Sequence, residues 1–194
     1  NLKNLVKFSD IIIDCMALTS HRTGIKNPIY DLRLNAESHL VLIQHLINCQ
    51  RKKIIYLGSR SQYGNLDLNK IVEMTPMNPN DIQGIHKLAA ESYYRVYSKL
   101  NSFNVVSLRF PNCFGKNQPV KGEDIGLIGS FIRDALNGKR IEVFGNRKRN
   151  VVYVNDVAEV VFKLANKDFV GFNAFNLSGH RIPIELLAAG IINI

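Results

Sequence analysis

The chain alternates between two kinds of hydrophobic pattern. One is a short, nearly unbroken apolar run, seen at residues 10–17 (DIIIDCMA), 53–58 (KIIYLG) and 104–110 (NVVSLRF). Runs of that length, apolar on consecutive positions, suit strands covered on both faces, as in a parallel sheet. The other pattern has helical spacing. Between 31 and 49, Leu34, Leu40, Val41, Leu42, Ile43, Leu46 and Ile47 form one broad apolar face. Residues 82–100 are amphipathic and open behind Asn80 or Asp81, both suited to cap a helix. Helices are also predicted over 126–137, with Gly138 in the stop position, over 156–167, and from 184 to 194. Shorter extended segments are predicted at 140–144 and 151–154, and loops at 18–30 and 65–80, where Ser, Asn, Gly and Pro gather.

Strand, helix, strand, helix, strand in this order predicts an α/β protein built on a doubly wound parallel sheet. When such a sheet binds a dinucleotide, it normally opens with a strand, a glycine-rich turn and a helix whose N-terminus receives the pyrophosphate. No GxGxxG or GxxGxxG occurs here. The pattern enters the sheet partway. Either earlier strands precede residue 1, or no dinucleotide is bound in the usual way.

Composition narrows the function classes. With 46% hydrophobic residues in 194, the chain can bury a core, and no apolar run approaches the length of a bilayer span. No signal-peptide pattern opens it, so an intracellular, cytoplasmic protein without a membrane partner is expected. Cys15, Cys49 and Cys113 form no CxxC and read as reduced thiols, and the five histidines lack metal-ligand spacing, so no metal is expected. A net charge of +9 raises the possibility of a polyanion partner. Yet there is no zinc finger, RNA-recognition signature or basic helix with interleaved aromatics, so no nucleic acid is expected. A diphosphate ligand with ordinary solvated lysines accounts for the charge more simply.

Five segments carry a resemblance. They are YLGSRSQYG at 56–64, QGIHKLAAE at 83–91, LRFPNCFG at 108–115, RNVVYVNDVA at 149–158, and FNLSG at 175–179 followed by Glu185-Leu186. In this order they resemble the extended short-chain dehydrogenases/reductases, specifically the NAD-dependent epimerases and dehydratases of nucleotide-sugars. The resemblance implies a Rossmann-like sheet lacking its first strands, with part of a small C-terminal substrate lobe. Residues 1–115 would be the later part of the dinucleotide-binding domain, and 116–194 would mix lobe segments with returning sheet elements. It implies NAD or NADP as cofactor, a nucleotide-sugar substrate, and a homodimer built on helices 31–49 and 82–100, where Leu40, Ile43, Tyr93, Tyr94 and Tyr97 fit either that interface or a buried core face equally well.

The same resemblance assigns roles. Ser59 matches the catalytic Ser/Thr that bonds the reacting sugar hydroxyl; a serine capping a turn is the plainer alternative. Lys87 faces the nicotinamide ribose and lowers the pKa of a nearby proton donor. Asn112 and Arg149 hold the diphosphate, as a guanidinium fork suits phosphate oxygens, and Arg147 rivals Arg149 in the shortened basic turn before it. Ala17, like Ser59 and Asn112, directly follows a strand, on the rim where such sheets bind ligands. Arg109 is expected to be structural, Asn35 to tie its helix to the sheet, and Asp156 to favour a helix N-terminus.

One departure bears on the chemistry. The family places its general acid/base tyrosine four residues before the lysine, and Gln83 stands there. An amide does not exchange a proton usefully near neutral pH. Three readings follow. Another group is the base, with His86 and Tyr63 as candidates, although His86 also fits a plain packing role. Or the reaction has a different proton demand. Or the protein binds a nucleotide-sugar or cofactor without turnover.

Overall fold

The computed structural model describes residues 2–47, 49, 52–66, 70–101, 103–122, 125–143, 145 and 147–192. Its centre is a four-stranded parallel sheet in the order β1 (Ile11–Asp14), β2 (Lys53–Ser59), β3 (Asn104–Phe110) and β6 (Phe172–Asn176). The register pairs Ile12 with Ile54, Ile55 with Val106, and Leu108 with Phe175. A second sheet joins β4 (Asn112–Phe114), β5 (Lys148–Tyr153) and β7 (His180–Pro183), with β4–β5 parallel and β5–β7 antiparallel.

Alternation along β2 explains the layers. Successive side chains of a strand point to opposite faces. Ile54 and Tyr56 face α1 (Leu2–Phe8), α4 (Ser38–Leu46) and α5 (Ile82–Leu100), where Val6, Leu42, Ile43, Leu46, Ala90, Tyr94 and Val105 complete a buried cluster. Ile55 faces the other way, onto Leu108 and onto Val157 and Val161 of α7 (Val154–Ala165). Helices on both faces make the sheet doubly wound. Truncating a fully buried residue such as Ile43 to alanine costs about 2–5 kcal/mol in cores of this kind. A third cluster packs Phe131 of α6 (Gly126–Leu136) on Ile184 and Ala188 of α8 (Ile184–Ile192), with β7 leading directly into α8.

Several expectations need correction. Residues 18–30 are largely helical: α2 (His21–Lys26) is capped by Ser20, and α3 (Pro28–Leu32) by Asn27 with Pro28 in its first turn. The residues that suggested a loop are helix caps and a helix-starting proline. The predicted helix over 31–49 is broken between α3 and α4 by a π-helical turn, Arg33–Glu37. No strand occurs at 140–143. Ile141 and Val143 pack on the third cluster from an irregular segment, and Phe144 lies outside the described residues. For Ile43 and Tyr94, which fitted a dimer interface or a core face equally well, the structure shows the core: both are wholly buried. Among the described residues no helix is long and apolar enough to cross a membrane.

Candidate functional site

Because β1, β2 and β3 run parallel, their carboxyl ends open on one rim, and a cavity of about 880 Å³ lies there. Ala17, Ser59, Gln83, Lys87, Asn112 and Arg149 all line it. Sequence reasoning had placed these six in the site, and topology brings them together. His86, Tyr63 and Arg147 do not line it.

Ser59 ends β2 and caps the 3-10 turn Arg60–Tyr63, its Oγ accepting from Ser61 N at 3.1 Å and Ser61 Oγ at 2.9 Å. Capping uses only the acceptor side, so its own O–H remains available toward the cavity. The turn is locked from below. Gln62 accepts from Ser59 N at 2.9 Å and donates to Glu91 at 2.9 Å. Helix α5 approaches this turn so closely that a Cβ on Gly84 would sit 2.7 Å from the Ser61 carbonyl oxygen. Glycine there is what allows Gln83 and Lys87 to share a cavity with Ser59.

The amino end of α5 is set by Asp81, whose carboxylate accepts from Gly84 N at 2.7 Å. One turn on, Lys87 is buried. Among the described residues its Nζ makes only long contacts, 3.3 Å to Met16 O and 3.4 Å to Leu57 O, and stands 5.1 Å from the centre of the Tyr56 ring. Burial drives the ammonium pKa down from 10.5 to about 8, against the opposing pull of Asp14, Asp31 and Cys15. Gln83 donates from Nε2 to the Leu18 carbonyl at 2.6 Å. The same Leu18 is gripped by Asn35, which accepts from its N–H and donates to its C=O, each at 3.1 Å. Asn35 thus ties its helix to the loop after β1.

Beneath the lysine lies Asp14, which accepts from Tyr94 at 2.5 Å and from Met16 N at 3.0 Å, and pairs with His39 at 2.6 Å. Burial works against its charge, but His39 and the other donors prevail and hold its pKa below the usual carboxylate value.

The two proposed substitute bases are engaged elsewhere. His86 turns toward α3, its Nδ1 2.6 Å from the fully buried Asp31. Tyr63 is buried, its hydroxyl donating to Asn176 at 2.8 Å and accepting from Arg109. Arg109 forks onto Glu91 through Nε at 2.9 Å and Nη2 at 2.5 Å, the structural part expected of it. Arg147 is exposed, whereas Arg149 faces the cavity.

Sequence reasoning missed further lining groups: Cys15, Arg60, and the pair His21–Asp81 at 3.7 Å. Burial and the neighbouring Arg149 lower the Arg60 pKa, and both arginines line the cavity. Arg60 follows a strand end directly, the one signal that could have found it. Two cations side by side form a ready site for an anion. Among the described residues no group of three or more His, Cys, Asp or Glu gathers to hold a metal.

The NAD dependent epimerase/dehydratase family model matches residues 1–178. The chain is 30% identical over 164 residues to a putative UDP-glucose 4-epimerase of Methanocaldococcus jannaschii, covering 82% of this chain and 53% of that protein. It is 26% identical over 167 residues to a dTDP-4-dehydro-6-deoxyglucose reductase of Escherichia coli, covering 84% and 52%. Among solved structures, it matches a UDP-N-acetylglucosamine 4-epimerase of Methanobrevibacter ruminantium, crystallised with UDP-N-acetylmuramic acid. That match has a TM-score of 0.88 at 25% identity, over 97% of this chain and 61% of the other. The chain spans about half the length of the curated relatives it matches.

Proposed function

The chain belongs to the NAD-dependent epimerase/dehydratase family, and from that premise we propose that it forms the catalytic rim of an NAD(P)-dependent epimerase or dehydratase. The substrate is a nucleotide-activated sugar, and the reaction proceeds through transient oxidation at a sugar carbon. The observation that carries this reading is the convergence of Ser59, Lys87, Asn112 and Arg149 on one cavity at the carboxyl ends of the parallel strands.

The residues present fit the nicotinamide-ribose end of the cofactor. Lys87 has spare hydrogen-bonding capacity in a buried wall, because both of its carbonyl contacts are long, and the segment through Ala17 lies beside it. When bound, the cofactor supplies the hydride acceptor and donor. Lys87 and the Ala17 segment hold the ribose. Ser59 donates to the reacting sugar hydroxyl, orienting its C–H bond toward the ring. Asn112 and Arg149, with Arg60 beside them, hold the diphosphate. A homodimer uses the outer sides of α4 and α5, where Val41 and Val96 stand exposed.

Calorimetry tests the reading with NAD and with UDP-, dTDP-, GDP- and CDP-sugars, on protein expressed from its complete reading frame. Binding of at least one sugar is expected, together with a mass change in that sugar in deuterated water. No binding across the panel sinks it.

A second reading, a homologue that binds without turnover, is favoured by one observation: the Gln83 amide donates its hydrogen bond to the Leu18 carbonyl and does not exchange a proton usefully near neutral pH. Turnover that disappears in Lys87→Ala ends that alternative.

A further inference from the structure

Oxidation of an alcohol requires a home for its proton, and the position that would hold a tyrosine holds Gln83, whose amide is committed to the Leu18 carbonyl. We propose that Lys87 is itself the proton carrier, a catalytic residue that takes the sugar hydroxyl proton on its neutral amine and returns it from the ammonium. This rests on the functional reading above and assigns the step that reading leaves open.

The titratable groups on the cavity wall are Cys15, His21, Arg60, Asp81, Lys87, Cys113 and Arg149. The two arginines do not release protons near neutrality. Asp81 is bound to the end of α5 as its cap. The His21 side chain is 57% exposed beside Asp81 and stands in solvent at the cavity edge. Burial and the adjacent Asp14 push the Cys15 thiol up, and burial pushes the Cys113 thiol up, both away from the neutral range. Lys87 alone of the seven is both buried, at 5% exposure, and held among the described residues by nothing tighter than two long contacts to carbonyl oxygens. The ammonium can therefore turn toward a ligand without breaking a strong bond.

The charges around it set a workable balance. From β1, Asp14 faces it, and from α3, Asp31; both favour the ammonium while burial favours the amine, and the Cys15 thiol stands alongside. From β2, Tyr56 stacks against it. From α4 and α5, His39 and Tyr94 spend their donors on Asp14. On its own helix, Glu91 is neutralised by Arg109 of β3. The resulting value of about 8 leaves both protonation states populated near neutral pH.

In the oxidation step the sugar carbon gives its hydrogen and both bond electrons to the nicotinamide ring. The hydroxyl O–H breaks, its electron pair closes the C=O bond, and the proton forms an N–H bond on Lys87. Alcohol, amine and NAD⁺ become ketone, ammonium and NADH, so atoms and charge balance. In the return step the ammonium protonates the oxygen as the hydride comes back.

The test uses the protein from its complete reading frame with NAD and a panel of UDP- and dTDP-sugars. Without sugar, competitive acetylation of Lys87 across pH, read by peptide mass, should give a midpoint near the value of about 8. A midpoint at the ordinary lysine value overturns the inference. With sugar, Lys87→Arg keeps a ribose-binding cation that cannot exchange its proton, and should lose about 100-fold or more in turnover. Near-normal turnover in Lys87→Arg overturns the inference. Lys87→Ala with NAD still bound should be rescued by added methylamine and ethylamine, with rates following amine basicity. An inactive, NAD-binding Lys87→Ala that no amine rescues overturns the inference and leaves the functional reading standing. No turnover by the wild type with any sugar overturns the functional reading, and the inference with it.

Discussion

Asp14, at the end of β1, and Glu91, one turn beyond Lys87 on α5, are both buried carboxylates beneath the same cavity, yet their surroundings differ in kind. Glu91 receives Gln62, Ser107 and a two-pronged Arg109, a permanent cation that neutralises it at every physiological pH. Asp14 receives His39, Tyr94 and a backbone N–H. None of these is a permanent cation, so the charge of Asp14 reaches beyond its own hydrogen bonds. It is the first of the charges that favour the Lys87 ammonium, while Glu91 does not figure among them. Two similar buried acids therefore do separate jobs. One ties β2, β3 and α5 together, and the other tunes the amine.

Breaking the first arrangement should have the largest effect. Arg109→Ala leaves Glu91 buried and unpaired, which costs about 3–5 kcal/mol in guanidinium unfolding. It should leave the pH midpoint of Lys87 acetylation where it was; a large movement of that midpoint would merge the two regions into one network.

Next comes Lys87→Met, expected to stabilise the fold by about 1–3 kcal/mol at pH 7. The sign follows from linkage. A base whose folded pKa is lowered binds fewer protons folded than unfolded between about 8 and 10.5, so wild-type stability rises with pH across that window. The Met variant should lose the rise, and unfolding curves at several pH values read this directly. Failure of the variant to gain stability would mean the ammonium is better solvated than its burial implies.

Asp14→Asn should cost about 1–3 kcal/mol and move the Lys87 midpoint downward, because the leading charge that favours the ammonium is gone. Tyr94→Phe removes one donor from Asp14 and should cost about 1 kcal/mol. Both carboxylates are held below their usual values despite burial, Asp14 by His39 and Glu91 by Arg109. Their stabilisation is therefore present above the unfolded carboxylate pKa and is lost as pH falls through the folded values. Acid unfolding of Glu91→Gln should show a shallower loss than wild type.

The frame of this arrangement was legible in the sequence, and its contents less so. β2, β3 and α5 could be read because continuous apolar runs and a capped amphipathic stretch leave few alternatives. Ala17, Ser59 and Asn112 followed from being next to parallel strand ends, a property of topology. Tyr63 and His86, weighed as substitute bases, lie off the cavity for one reason. Their partners lie far along the chain: Arg109 and Asn176 are 46 and 113 residues from Tyr63, and Asp31 is 55 from His86. Spacing on a helix says which residues share a face, not which distant carboxylate claims them. β4 and β7 escaped notice because strands of three and four residues, mostly half exposed, carry no period that can be counted.

The π-helical turn at Arg33–Glu37 bears on how this sequence can evolve. A turn of this kind absorbs one extra residue while the helix on either side keeps its phase. Loss of a single residue there would let α4 continue to present Leu42 and Leu46 to the core, yet it would withdraw Asn35 from Leu18. The position joins inheritance of the fold to inheritance of the site: Asn35 and Ala36 of this turn are both buried, so a one-codon deletion that sheds the tether, and with it the placement of Gln83, would be felt by the core as well.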